Sequence, residues 1–257
     1  MLGSFICGIS GLKANARAMT VIGDNIANAS TVGFKGNKVG FQNVLGQSLL
    51  GGTANLYGSG VTISGVNAQW EQGSLEYTSG TFDMAINGGG FFGVSNTAAT
   101  PEIFYTRAGD FNLDENGNLV NPEGYILQGY ASDGAGGWAA APANVTIPLA
   151  NYGPPPVAGT YRDIKVSDGG IITGVDITTG QPVQLFKAAM YNFTNLDGLE
   201  RQGGNLFRYT AEAGVRSVGE SGVNDMGKIV SGSLEMSNVD LATEFVNLIV
   251  TQRAYQA

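Results

Sequence analysis

Apolar residues recur every seventh position at both ends of the chain and every second position between them. At the start, Phe5, Leu12, Met19 and Ile26 follow the seven-residue spacing, with Ile9, Ala16 and Ile22 on the intermediate turns. At the end, Leu234, Leu241, Leu248 and Tyr255 repeat it, supported by Phe245 and Ile249. Such spacing draws a narrow apolar seam along a helix, the pattern of helices that wind on one another. Residues 4 to about 28 are therefore predicted as one helix, although Gly8, Gly11 and Gly23 each cost about 1 kcal/mol against Ala. A helix so weakened orders only when its seam is covered. Turn formers from Asn28 to Gly33 stop it, and a C-terminal helix is expected to begin near Ser233 to Ser237.

Residues 38 to 50 offer a second, weaker amphipathic stretch through Val39, Phe41, Val44, Leu45 and Leu49, followed by a loop from Gly51 to Gly60. From Val61 to about Thr210 the period shifts towards two, as in Val61 to Ile63 and Phe82 to Ile86. Phe111 to Leu113 and Leu119 to Val120, separated by Asp114-Glu-Asn-Gly117, read as a hairpin. Residues 131 to 160, with Pro154-Pro155-Pro156 at their centre, read as a loop or exposed connection. Further strands are expected at 164 to 166, 171 to 177 and 183 to 190, and a polar connector from Gly214 to Gly227. The fold class is α+β. Residues 1–35 and 226–257 form a discontinuous helical assembly domain whose helices pair in a coiled-coil-like seam. Residues 36–225 form a Gly-rich, mainly β outer domain, with a loop-rich or small inserted region at about 131–185.

Composition narrows the function. Of 257 residues, 43% are hydrophobic and only 13% charged, about half the usual charged share. The 40 glycines and many Asn, Ser and Thr suit turns between strands. A net charge of -8 without any run of Lys or Arg argues against nucleic acid and against an anionic membrane surface. No apolar run approaches the roughly 20 residues of a membrane span. The single cysteine, Cys7, excludes an internal disulfide. Met1 to Cys7 lacks the positive and apolar regions of a lipoprotein signal, so Cys7 is read as a small apolar residue at a helix start. The absence of histidine removes the commonest general base and the commonest zinc ligand.

Candidate chemistry is sparse. Asn112 to Glu123 fits a calcium-loop spacing, but its first position is Asn and its flanks alternate like strands, so a plain hairpin is the preferred reading. Gly88-Gly89-Gly90 before Phe91-Phe92 lacks the Lys-Ser/Thr of a phosphate loop. It reads as a tight turn that lets two aromatics enter a core. No histidine is present to activate a hydroxyl nucleophile. The protein is therefore expected to be no enzyme and to hold no cofactor or metal.

Four ordered motifs are more specific. Ile22-Gly-Asp24-Asn25-Ile26-Ala27-Asn28-Ala-Ser-Thr31-Val-Gly33-Phe34-Lys35 closely resembles the N-terminal signature of the flagellar rod and hook family. Phe82 to Phe92, with Asn87, Gly88, Gly90, Phe91 and Phe92, resembles its central motif, and Phe104 to Tyr125 also fits. Gly232 to Ala257, with Ser237, Asn238 and Val239, resembles its C-terminal signature. Asp24 departs from the Asn usual there. Members of the family also usually continue past a position like Ala257. This sequence stops in mid-helix without a C-cap signal, a departure from the family pattern.

The resemblance implies a structural subunit exported unfolded through the flagellar export apparatus, without a cleaved signal, to the bacterial flagellum. It implies an inner tube of terminal helices surrounded by β-domains. Leu127-Gln128-Gly129-Tyr130 and Leu234 to Leu241 look most like the hook protein, a curved universal joint between basal body and filament. The short length looks more like a distal-rod subunit. A secreted adhesin or binding module is the reading from another class. Implied partners are copies of itself, the neighbouring rod, cap and junction proteins, and the export apparatus. The expected assembly seam is Phe5, Ile9, Leu12, Met19 and Ile26 with Leu234, Leu241, Phe245, Leu248 and Tyr255.

Overall fold

The computed structural model describes residues 2–44, 58–96, 102–133, 137–147, 161–223 and 226–256. The protein divides into two compact units. The first comprises residues 1–31, 35–71 and 237–257, and the second residues 32–34 and 72–236.

The first unit holds helix α1 (Leu2–Ala27), an antiparallel pair of strands β1 (Asn37–Asn43) and β2 (Val61–Ala68), and the C-terminal helix α2 (Leu241–Gln256). Helix α1 runs as its periodicity predicts, and it packs on α2, β1 and β2. Among its described side chains the buried ones are Ala14, Ala18 and Asn25, two of them small enough for neighbouring backbones to approach closely. Added Cβ atoms at Gly8, Gly11 and Gly23 would meet nothing within 4 Å. These glycines therefore lie on open faces of the helix.

Three expectations are corrected here. Residues 37–43 form a strand, not a helical stretch, since their backbone pairs along β2 from Asn37↔Ala68 to Asn43↔Val61. Leu45 and Leu49 lie outside the described residues. The C-terminal helix starts at Leu241, because Asp240 caps it. The Asp240 Oδ1 accepts from the Ala242 N–H at 3.1 Å, and the Thr243 hydroxyl donates to Oδ2 at 2.6 Å. Leu234 consequently sits on a strand and not on the helical repeat. The division into units also differs: residues 35–71 cluster with the terminal helices, not with the β-rich middle.

The second unit is almost entirely β. Its strands are β3 (Leu75–Tyr77), β4 (Met84–Asn87), β5 (Phe91–Ser95), β6 (Ile103–Thr106), β7 (Asn112–Leu113), β8 (Leu119–Val120), β9 (Ile126–Ala131) and β10 (Ala143–Asn144). There follow β11 (Tyr161–Ser167), β12 (Ile171–Asp176), β13 (Pro182–Ala188), β14 (Met190–Phe193), β15 (Glu200–Gly203), β16 (Leu206–Arg208) and β17 (Arg216–Gly219). Strands β18 (Lys228–Ser231) and β19 (Ser233–Glu235) complete it. Thirteen of them share one sheet whose main path runs β11-β12-β13-β9-β5-β6-β16-β15. Strand β18 pairs with β4, and β19 with β3.

Every described ladder in this unit is antiparallel, and its core is apolar: Met84, Ile86, Phe92, Val94, Phe111, Leu119 and Leu127 are all buried. The hairpin expected at residues 111–120 is present as β7 and β8. The loop expected at 131–160 is in part structured, because Val145 and Ile147 are fully buried beside β10. Pro154 to Pro156 lie outside the described residues. The connector expected at 214–227 contains β17, which pairs with β14. Among the described residues no helix is long and apolar enough to cross a membrane.

Candidate assembly site

Two signature asparagines at the ends of the sequence bond chiefly to backbone groups. Asn25, buried near the end of α1, donates from Nδ2 to the Asn37 carbonyl at 2.8 Å and to Glu244 Oε1 at 3.1 Å. Its Oδ1 accepts from the Asn37 N–H at 2.8 Å. One carboxamide thus satisfies both backbone groups of the first β1 residue and also reaches α2. Asn238 does the same from the C-terminal side. Its Oδ1 accepts from the Gly36 N–H at 2.8 Å, and its Nδ2 donates to the carbonyls of Gln69 at 2.8 Å and Glu71 at 3.1 Å. Lys35, almost fully buried, donates from Nζ to the Glu71 carbonyl at 2.8 Å. Val239 packs so close to Gly36 that a Cβ there would lie 3.2 Å from Val239 Cγ2.

The remaining signature polars finish the local turns. Asn28 donates to the Asp24 carbonyl, and Thr31 donates to Asn28 Oδ1 at 3.2 Å. Ser237 Oγ accepts from the Val239 N–H at 3.3 Å. Beside this clasp a cleft of about 580 Å³ opens between α1, β1 and α2, floored by Ala18, Ile22, Val39 and Val250.

The seam residues point elsewhere. Phe5 is 74% exposed, and Ile9, Leu12, Leu241, Phe245 and Tyr255 are also exposed. Met19, Ile26 and Leu248 are half-buried. Helix α2 has no buried residue at all and also exposes Val246, Ile249 and Val250. The two helices touch, yet the apolar stripe is not consumed by that contact. Phe5, Ile9, Leu12, Leu241, Phe245, Val246, Ile249 and Val250 therefore leave large apolar side chains exposed on both helices.

In the second unit, Gly33 takes φ +68°, and a Cβ on it would fall 2.5 Å from the Ala108 nitrogen. Its N–H donates to the Glu235 carbonyl at 2.7 Å. Glu235 is fully buried, ion-paired to Arg107 and accepting from the Gly73 N–H at 3.0 Å. The Arg107 guanidinium also lies 5.2 Å from the Phe91 ring centre, and burial pulls its pKa down against the opposing pull of Glu235. Phe34 stacks under Arg201 at 5.9 Å.

The glycine turn works as expected. Gly88 and Gly90 take φ +111° and +120°, and the backbone then sends Phe91 towards Phe193 and Phe207 and Phe92 towards Phe111. Asn87 ends β4, exposed, opposite Lys228. In the hairpin turn, Asp114 accepts from the Glu115 N–H and the Asn116 amide, so its oxygens serve the turn itself. Among the described residues no three Cys, Asp or Glu side chains converge as a metal site.

Glu235, Glu244 and Asp240 were not singled out by pattern. Only Asp240 carried a local signal, an N-cap aspartate before an apolar repeat.

Matches to known proteins fall on the same two ends and on the middle. The family model described as flagella basal body rod protein matches residues 7–35, and that of the flagellar basal body rod FlgEFG protein C-terminal matches residues 230–257. The flagellar hook protein FlgE/F/G D1 domain matches residues 85–174. The flagellar basal-body rod protein FlgG of Bacillus subtilis is 34% identical across all of this chain and 92% of its own length. The chain belongs to the flagellar rod and hook family. Members of this family are structural proteins of the bacterial flagellum, and this protein is such a subunit. FlgG of Buchnera aphidicola (subspecies Acyrthosiphon pisum) is 33% identical over the whole chain and 93% of that protein. The flagellar hook protein FlgE of Salmonella typhimurium is 26% identical over 99% of this chain and 95% of that protein, in an alignment 392 residues long.

Proposed function

We propose that this protein is a basal-body rod subunit that polymerises through the exposed apolar faces of α1 and α2. The observation that carries the rod reading is the full-length match at 34% identity to a rod protein over 272 aligned residues. The hook relative needs 392 aligned positions for the same sequence and reaches 26%. Those extra positions are sequence that this chain does not have. The hook reading, drawn from Leu127 to Tyr130 and Leu234 to Leu241, is therefore second to the rod reading.

Assembly rests on Phe5, Ile9, Leu12, Met19 and Ile26 of α1 and on Leu241, Phe245, Leu248 and Tyr255 of α2. Burying one such side group stabilises a contact by about 1.5–3 kcal/mol, and a polymer repeats it in every subunit. Contacts of that kind are heterologous and need not close, which yields a tube. Copies of the same subunit, neighbouring rod, cap and junction proteins and the export apparatus are its partners. Electron microscopy of the purified, polymerised protein tests the reading. Straight rigid tubes support a rod, curved tubes support a hook, and persistent monomers overturn both.

A further inference from the structure

We propose that the Asn87–Gly88 peptide is a latent deamidation site that the Gln72 side chain holds closed. The sequence has two Asn–Gly pairs, Asn87–Gly88 and Asn116–Gly117. In such a pair no Cβ on the second residue obstructs ring closure. The Gly88 nitrogen, once hydroxide has taken its proton, attacks Asn87 Cγ. A new bond forms between that nitrogen and Cγ, the bond from Cγ to Nδ2 breaks, and the amide group leaves as ammonia after gaining a proton from water. The succinimide that remains is opened by water at either carbonyl, giving aspartate or isoaspartate. The sequence of steps needs water and base alone.

Both reacting groups are accessible, since Asn87 and Gly88 are exposed. What restrains them is one carboxamide. The Gly88 N–H donates to Gln72 Oε1 at 2.9 Å. Gln72 Nε2 in turn donates to the Ile86 carbonyl at 3.2 Å and lies 3.5 Å from Asn87 Oδ1. Gln72 therefore holds the proton of the nucleophile while it contacts the amide that would be attacked. Gln can do this because it carries an acceptor and two donors on one planar group.

A bulkier residue at 88 cannot supply the protection instead. Gly88 has φ +111°, and a Cβ there would lie 2.9 Å from the Gly227 Cα. The fold requires the reactive glycine, so its restraint comes from a residue outside the turn. The second pair differs in kind. The Gly117 N–H donates to the backbone carbonyl of Asp114 at 2.8 Å, a bond that substitution at Gln72 leaves untouched.

The consequence of reaction would be structural. Isoaspartate inserts a methylene into the backbone where Asn87 pairs with Lys228 and where the Gly227 N–H donates to the Gly89 carbonyl at 2.7 Å. Strand β18 would lose its register on β4.

The test compares the parent protein, Gln72→Ala and Gln72→Glu, all folded and monomeric, aged in mildly alkaline buffer. Aspartate and isoaspartate at 87 and 116 are quantified by peptide mass spectrometry. Gln72→Ala is expected to raise the rate at Asn87 by roughly five- to tenfold, the worth of one neutral hydrogen bond. Gln72→Glu, which keeps an acceptor for the Gly88 N–H but loses the donors to the Ile86 carbonyl and Asn87 Oδ1, falls between the parent and Gln72→Ala, and Asn116 keeps one rate throughout. Equal rates at Asn87 in parent and Gln72→Ala overturn the proposal, as does a parallel rise at Asn116, which would report general loosening. Should Gln72→Ala fail to fold, hydrogen exchange of the Gly88 amide in the parent decides. Slow exchange is expected, and exchange at the rate of an unbonded amide overturns it. None of these readouts depends on whether the subunit builds a rod.

Discussion

Arg107 and Glu235, 128 residues apart in sequence, meet Nη1 to Oε2 at 3.2 Å with almost no solvent at either group. Arg107 Nε has no hydrogen-bond partner, so the pair is incompletely satisfied. A buried pair contributes less by its attraction than it costs when one partner is lost. Glu235→Ala is therefore expected to destabilise the second unit by about 3–5 kcal/mol. Arg107→Met should do the same, while Glu235→Gln, which keeps an acceptor for the Gly73 N–H, loses less. Urea unfolding of the three variants checks the order.

Asp110 gives the pH dependence. Its Oδ1 is buried without a partner, and it faces Asp83 across an isolated antiparallel bridge. Burial raises its pKa, opposed by a hydrogen bond to its own backbone and reinforced by the charges of Glu123 and Asp83. A raised carboxyl pKa means that the folded state binds the proton more tightly than the unfolded state. The ionised group thus disfavours folding above its folded pKa, and the penalty fades as pH falls towards the ordinary value of 3.8. Asp110→Asn is expected to stabilise the protein at neutral pH, by a gain that shrinks as pH falls towards 3.8. Urea midpoints of both proteins across this range decide it. A gain independent of pH would contradict the assignment.

The glycines of α1 separate folding from assembly. Gly8, Gly11 and Gly23 have open space where a Cβ would go. Replacing all of them by Ala is expected to stabilise the isolated helix by roughly 1 kcal/mol per site, visible as added helicity by circular dichroism of the monomer. Polymerisation should fall if neighbouring subunits approach those faces closely. Unchanged helicity would mean that packing within the subunit already fixes α1.

The α2 surface provides the direct test of the assembly reading. Leu241→Asp places a charge on an exposed position of α2 and Leu248→Asp on a half-buried one, in a helix with no fully buried residue. Such variants should remain soluble, should not sediment as polymer, and should show near-normal melting of the β core. A variant that polymerises as the parent does would remove this face from the interface. Early melting of the core would instead make α2 a part of ordinary folding.

Much of the architecture was legible because its signals are local. The span of α1 follows from periodicity, the β7–β8 hairpin from turn residues, and the burial of Phe91 and Phe92 from the glycines before them. Leu234 fits the seven-residue spacing although it lies on a strand, since the spacing alone does not distinguish the two, and only the Asp240 cap fixes where the helix begins. Residues 38–43 misled in the opposite sense, since Val39 and Phe41 fit a strand's alternation as well as a helix face. The clasp itself was not legible. Asn25 and Asn238 bind mainly backbone groups, and a backbone acceptor leaves no trace in the pattern of residue types. A heptad stripe likewise looks the same whether it packs within one molecule or between several, as the exposed Phe5 and Phe245 illustrate.

The unit that carries the clasp is built from residues 1–31 and 35–71 together with 237–257, and Asn25 reaches Glu244 across 219 positions. A protein made from its N-terminus therefore cannot close this unit until residues 237–257 have emerged. Until then α1 has no α2 to rest on, and the backbone groups of Gly36, Gln69 and Glu71 wait for Asn238. The clasp thus depends on residues 237–257: a product interrupted before them, however well its β sheet folds, lacks the part that completes its own beginning.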